Sequence, residues 1–133
     1  MNVTFFFNWT QEDEGCEIIH FPSVVMSKVS SDGSCQYFPE AASFIQSLNT
    51  TEAVWRVLKI VNFFIGEKML SIVEIKTLYN TKAIIQRDSI KFQILDSAEY
   101  KDDISLNDLS IILNKWIEYL LTIDKQEVIF DIV

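Results

Sequence analysis

Residues 53–65 read AVWRVLKIVNFFI, and whether they form a helix or a strand decides how much of the chain is sheet. Val54, Val57, Leu58, Val61, Phe64 and Ile65 recur at helical spacing, with Asn49 or Thr51 placed to cap the start and Gly66 to stop the end. Against this, the segment holds five β-branched and three aromatic residues, which lose rotamer freedom in a helix and pack well on a pleated surface. On propensity the segment reads as a strand, with IGEK at 65–68 as the turn into the next one.

Outward from this stretch the patterns are plainer. Val3, Phe5, Phe7 and Trp9 alternate with Thr4 and Asn8, which is strand periodicity, with Phe6 as the exception. Phe6 therefore sits on the opposite side, to be covered by a helix, a second subunit or a partner if the core does not take it. A second β-prone run spans 17–26, and QEDEG between the two has the length and the glycine of a hairpin loop. SSDGS at 30–34 is another loop. Pro39 opens a short amphipathic helix, Glu40 complements its positive end, and Ala41, Phe44, Ile45 and Leu48 form its apolar face. Val73 and Ile75, then Ile90, Phe92 and Ile94, alternate with polar residues as half-buried strands, joined through YNTK and the RDS turn that flank 83–86. Ser105 and Asp108 resemble a capping box, followed by the stripe Leu106, Leu109, Leu113, Trp116, Ile117 and Leu120. Residues 126–133 close as a strand. The expected fold is α+β, an antiparallel-rich sheet of about five to seven strands with two or three helices in a single layer on one face. Residues 1–133 are expected to form a single globular domain, since 133 residues at 49% hydrophobic content suffice for one core.

The formal net charge is −8, unevenly placed. Residues 1–50 hold one base against six acids, net −5; residues 51–95 hold seven bases against four acids, net +3; residues 96–133 hold three bases against nine acids, net −6. Such a field repels nucleic-acid phosphates and anionic lipid and speeds encounter with a basic protein, so neither direct nucleic-acid nor membrane binding is expected. The apolar run at 3–9 is short, lacks a preceding base and meets acids at once, which leads to a cytoplasmic expectation. Richness in Ile, Lys and Asn, with Arg56 and Arg87 the two arginines, fits an AT-rich bacterial genome.

Candidate chemistry is sparse. His20 lies four residues after Cys16, on the same face of an extended strand, and with Asp13 and Cys35 a zinc site is conceivable; without CxxC or HxxxH spacing no metal is expected. A small hydrolase or metal-dependent enzyme would need His20 with Cys16 or Cys35, or paired carboxylates, and no third orienting group is marked. Gly15, Gly33 and Gly66 are too scattered to cradle phosphate, and no cofactor is expected. The acids form two clusters: Glu12, Asp13, Glu14 and Glu17 in the first loop, and Asp96, Glu99, Asp102 and Asp103 ahead of the last helix. A solvated surface explains both, and part of the second cluster can simply complement that helix's N-terminus. The functional alternative is docking to a basic protein, with Trp9, Tyr37, Tyr79 or Tyr100 as aromatic anchors. Composition, without a matching motif, leads to an immunity protein or antitoxin that blocks a cognate toxin, such as a nuclease. The alternatives are a secretion chaperone, which more often begins with a helix, and a phage inhibitor that mimics DNA.

Overall fold

Segment 53–65 lies within a helix. In the computed structural model, which describes residues 1–10, 15, 19–67, 72–77, 81–94 and 99–132, helix α2 runs Thr51–Glu67. Its buried residues are Val54, Val57, Leu58, Val61 and Phe64, the stripe read from the sequence, while Trp55, Arg56, Lys59 and Phe63 face outward. The strand expectation is overturned because burying one helical face outweighs the small per-residue cost of β-branched side chains. Thr50 provides the cap: its Oγ1 accepts from Ala53 N at 3.2 Å. Gly66 and Glu67 continue the helix where a turn was expected.

The remaining elements are β1 (Asn2–Thr10), β2 (Ile19–Val29), β3 (Cys35–Tyr37), α1 (Pro39–Ser47), β4 (Ile72–Lys76), β5 (Thr81–Gln86), β6 (Ser89–Ile94), β7 (Lys101–Ser105), α3 (Leu106–Leu121) and β8 (Val128–Asp131). The α+β class and the antiparallel pairing hold, but the strands form two four-stranded sheets. Sheet A has the order β3-β2-β1-β8 and sheet B the order β4-β5-β6-β7. Reading 53–65 as a helix removes the strand that would have linked the two halves.

The helix layer packs against strands of both sheets. Helix α1 packs against β2 and against β5, β6 and β7, and α3 packs against β1 and β7. Helix α2 lies along α3: Trp116 Nε1 donates to Leu48 O at 2.8 Å near the start of α2, and Ser110 Oγ meets Asn62 near its end, so the two run antiparallel. Phe5 on the inner face of sheet A contacts Trp116, Tyr119 and Phe130, and Phe44 of α1 contacts Phe92 of sheet B. Buried residues from both sheets and all three helices form one apolar cluster. Phe6 is half-buried on the outer face of sheet A, while its neighbour Phe5 is fully enclosed.

The two sides of sheet A differ. Strand β3 covers only the 27–29 end of β2. Farther along, Met26 O accepts from Phe38 N at 3.1 Å and Val24 N donates to Gln46 Oε1 of α1 at 3.3 Å. The even-numbered residues of β2 thus direct their backbone groups away from β1, and among these Pro22 has no N–H to offer. A helix, a short strand and a proline guard this flank. On the other side, Met1 and Ile132 exchange bonds of 2.9 and 2.7 Å, so Phe130 and Val128 also face β1. By alternation, the N–H and C=O groups of Ile129 and Asp131 point outward, where among the described residues sheet A has no further strand.

Candidate partner-binding surface

Asp102, in the second acidic cluster, is turned inward. Strand β7 bulges there: Ile90 pairs with Ile104 and Phe92 with Lys101, so Asp102 and Asp103 stand against the single residue Lys91. Asp102 takes a left-handed backbone with φ 61°. Its Oδ2 accepts from Glu40 N at 2.8 Å and from Ala41 N at 3.1 Å, the first free donors of α1. The residue at the N-cap position of α1 is Phe38, which has no side-chain acceptor, so β7 supplies the cap from across the fold. Burial raises the Asp102 carboxyl above its usual value, and the adjoining Glu40 carboxyl adds to this, outweighing the two N–H donors that pull the other way. Glu40 and Asp102 are a carboxyl pair, but the pair holds a helix end.

Glu99 and Asp103 are exposed near this bulge. Residues Glu12, Asp13, Glu14, Cys16, Glu17, Tyr79 and Asp96 fall outside the described residues, and for Trp9 and His20 only the backbone is described. His20 pairs with Trp9 at one end of β2, while Cys35 pairs with Val29 at the other. At the rise of a strand these ends are about 30 Å apart, so the Cys35–His20 pair considered from the sequence does not form. Among the described residues, no group of three or more His, Cys, Asp or Glu side chains is placed to hold a metal. No described helix is long and apolar enough to cross a membrane.

Charge and exposed apolar surface meet at the far end of α3. Leu121 is 67% exposed, Ile123 fully so and Ile129 61%, with Val128 also exposed. Glu118, Asp124, Glu127 and Asp131 alternate with them along the helix end, the connecting segment and β8. Three cations are present and engaged locally: the Met1 ammonium lies 3.6 Å from Asp131 Oδ1, and the other two are lysines. Lys125 Nζ donates to Thr122 O at 2.6 Å and Leu120 O at 3.3 Å, and Lys115 Nζ lies 5.0 Å from the centre of the Phe130 ring. A cavity of about 500 Å³ opens here, lined by Glu118, Tyr119, Thr122, Asp124, Glu127 and Val128 among others. Tyr119 is 3% exposed, and its hydroxyl is one of two buried side-chain polar atoms, with Ser23 Oγ, that have no hydrogen-bond partner among the described residues. Burial pushes the phenol above its ordinary value, so it stays protonated at neutral pH.

Sequence reasoning did not group these four acids, because they are spread through residues 118–131 across three kinds of structure. The signals were the −6 balance of the last third and the apolar Leu121 and Ile123, which fall outside the α3 stripe. Of the bases of the middle third, Lys76, Lys82 and Lys91 occupy the outer face of sheet B, where Lys76 meets Glu74 at 3.5 Å. No protein-family model, curated protein or solved structure matches this chain.

Proposed function

We propose that this protein works by binding, and that it neutralises a positively charged protein partner in the manner of a bacterial immunity protein or antitoxin that holds a toxin domain inactive. One observation carries the reading: at the α3–β8 end, Leu121, Ile123, Val128 and Ile129 are exposed along a segment that also holds the exposed acids Glu118, Asp124, Glu127 and Asp131. An apolar centre supplies affinity once dry, and a carboxylate rim supplies steering and partner choice. Exposed Glu99 and Asp103 lie at the opposite end of α3, and Glu12, Asp13, Glu14, Glu17 and Asp96 are candidate contributors by sequence. The partner would be met in the cytoplasm, and a nuclease is a natural fit because its own active site must attract phosphate.

The test is to capture the partner from the native host on a tagged chain, purify both, and follow association by stopped flow as salt is raised. Between about 10 mM and 150 mM salt the association rate should fall by about tenfold or more, and one equivalent of this chain should abolish the partner's activity. Reversing Glu12, Asp13 and Glu14 to Lys should slow association further if that loop also docks. An acidic partner, or a salt-independent rate, would overturn the reading.

A further inference from the structure

We propose that the partner attaches by adding a strand of its own, bearing lysine or arginine, to the outer edge of β8; the inference rests on the binding function above and gives it a geometry. The opposite flank of sheet A is closed by β3, by Gln46 on Val24 N and by Pro22, whereas β8 carries neither proline nor lysine and presents the outward N–H and C=O groups of Ile129 and Asp131. Those groups match a partner strand's backbone, which supplies affinity irrespective of side chains. Side chains then choose the partner. A strand added outside β8 continues sheet A, so its residues on the helix side meet the cavity lined by Glu118, Asp124 and Glu127 and by Lys115, whose ammonium lies over the Phe130 ring, and there the Tyr119 hydroxyl lacks a partner among the described residues. Its residues on the other side meet Ile129 and Asp131, both exposed.

Charge argues against a second copy of this chain as the occupant, although each Asp131 is itself 3.6 Å from the Met1 ammonium. If two β8 strands pair antiparallel about Ile129, each Glu127 stands opposite the other chain's Asp131. Slipping the register so that Ile129 faces Asp131 makes the two Asp131 carboxylates diagonal neighbours. Either arrangement sets like charges together on chains already at −8. A strand alternating basic and apolar residues sets all its bases on one face, against Glu118 and Asp124 on the helix side or against Asp131 on the other, and its apolar residues on the opposite face.

The probe is a capped eight-residue peptide alternating lysine and valine, with a glutamate–valine peptide as its counterpart, and the readout is amide hydrogen exchange by NMR. The lysine peptide should slow exchange at the Ile129 and Asp131 amides by about tenfold or more at saturation, less so at high salt, and the glutamate peptide should not. Ile129→Pro removes an N–H that makes no bond within the sheet, so it should abolish this protection while leaving thermal unfolding nearly unchanged. Should that variant fail to fold, the double reversal Glu127→Lys, Asp131→Lys keeps the edge and should exchange the preference from the lysine to the glutamate peptide. Protection elsewhere but not at these two amides overturns the proposal, as does protection that grows with protein concentration in the absence of peptide. A captured basic partner that binds the Ile129→Pro variant with unchanged affinity overturns strand addition and leaves the binding function standing. Absence of any salt-sensitive basic partner removes the function itself, whatever the peptide does.

Discussion

Asp102 shows how one residue can hold together parts of the chain 62 positions apart. Replacing it with Ala strands two N–H donors at the start of α1 and leaves a side chain poorly suited to φ 61°, so Asp102→Ala should cost about 1–3 kcal/mol in urea unfolding. Asn keeps an acceptor and tolerates that backbone, so Asp102→Asn should cost far less. Its pH dependence should also differ. A carboxyl whose value in the fold lies above its free value of 3.8 binds a proton more readily folded than unfolded, so its contribution is present at acid pH and is lost as pH rises through the folded value. Relative to Asp102→Asn, the natural chain should therefore lose stability between pH 3.8 and the raised folded value; the difference in urea midpoint across that range reads it directly. Tyr119→Phe makes the opposite kind of prediction. It removes a buried hydroxyl without a partner and should stabilise the free chain by up to about 1 kcal/mol while weakening the lysine peptide. Neither role was legible in the sequence, where Asp102 is one of several acids and Tyr119 one of four tyrosines, because each depends on a neighbour distant in the chain.

At the scale of the element, α3 was the most legible part. Ser105 Oγ accepts from Asp108 N at 3.1 Å, and Leu106, Leu109, Leu113, Trp116 and Ile117 are all buried, as the capping pattern and stripe imply. Ser105→Ala should destabilise by about 1 kcal/mol, and Trp116→Phe by about 1–3 kcal/mol because it orphans Leu48 O; chemical denaturation measures both. In α2 two readings of the same residues competed, and periodicity held the information that propensity obscured. Every stripe position but Ile65 is fully buried, and Ile65 is partly so, whereas the β-branched residues shift helix propensity by only tenths of a kcal/mol each. The cap was misplaced by one residue because Asn49, Thr50 and Thr51 are all competent and only the chain's entry angle chooses among them. Strand β7 escaped notice for another reason: as an edge strand with a bulge it buries Ile104 alone, so alternation has almost nothing to register.

For the whole molecule, composition set the class and the charge, and left the division into two sheets unread, since that turned on 53–65. Net charge −8 on 133 residues opposes compaction, so raising salt from about 10 mM to 150 mM should raise the midpoint of thermal unfolding by a few degrees, an effect that scanning fluorimetry detects without knowledge of any partner. The same field is uneven in space, with Glu118, Asp124, Glu127 and Asp131 at the α3–β8 end and Lys76, Lys82 and Lys91 on the outer face of sheet B, which a count of charges along the chain conveys only coarsely. The guarded flank of sheet A also bears on stoichiometry. A ribbon grows without limit only if each added unit presents a fresh edge like the one it covered, and here the side beyond β2 is closed by Pro22, Gln46 and a three-residue strand. Copies of this chain therefore cannot stack head to tail through sheet A into a fibre, and whatever joins at β8 does so once, one guest to each chain.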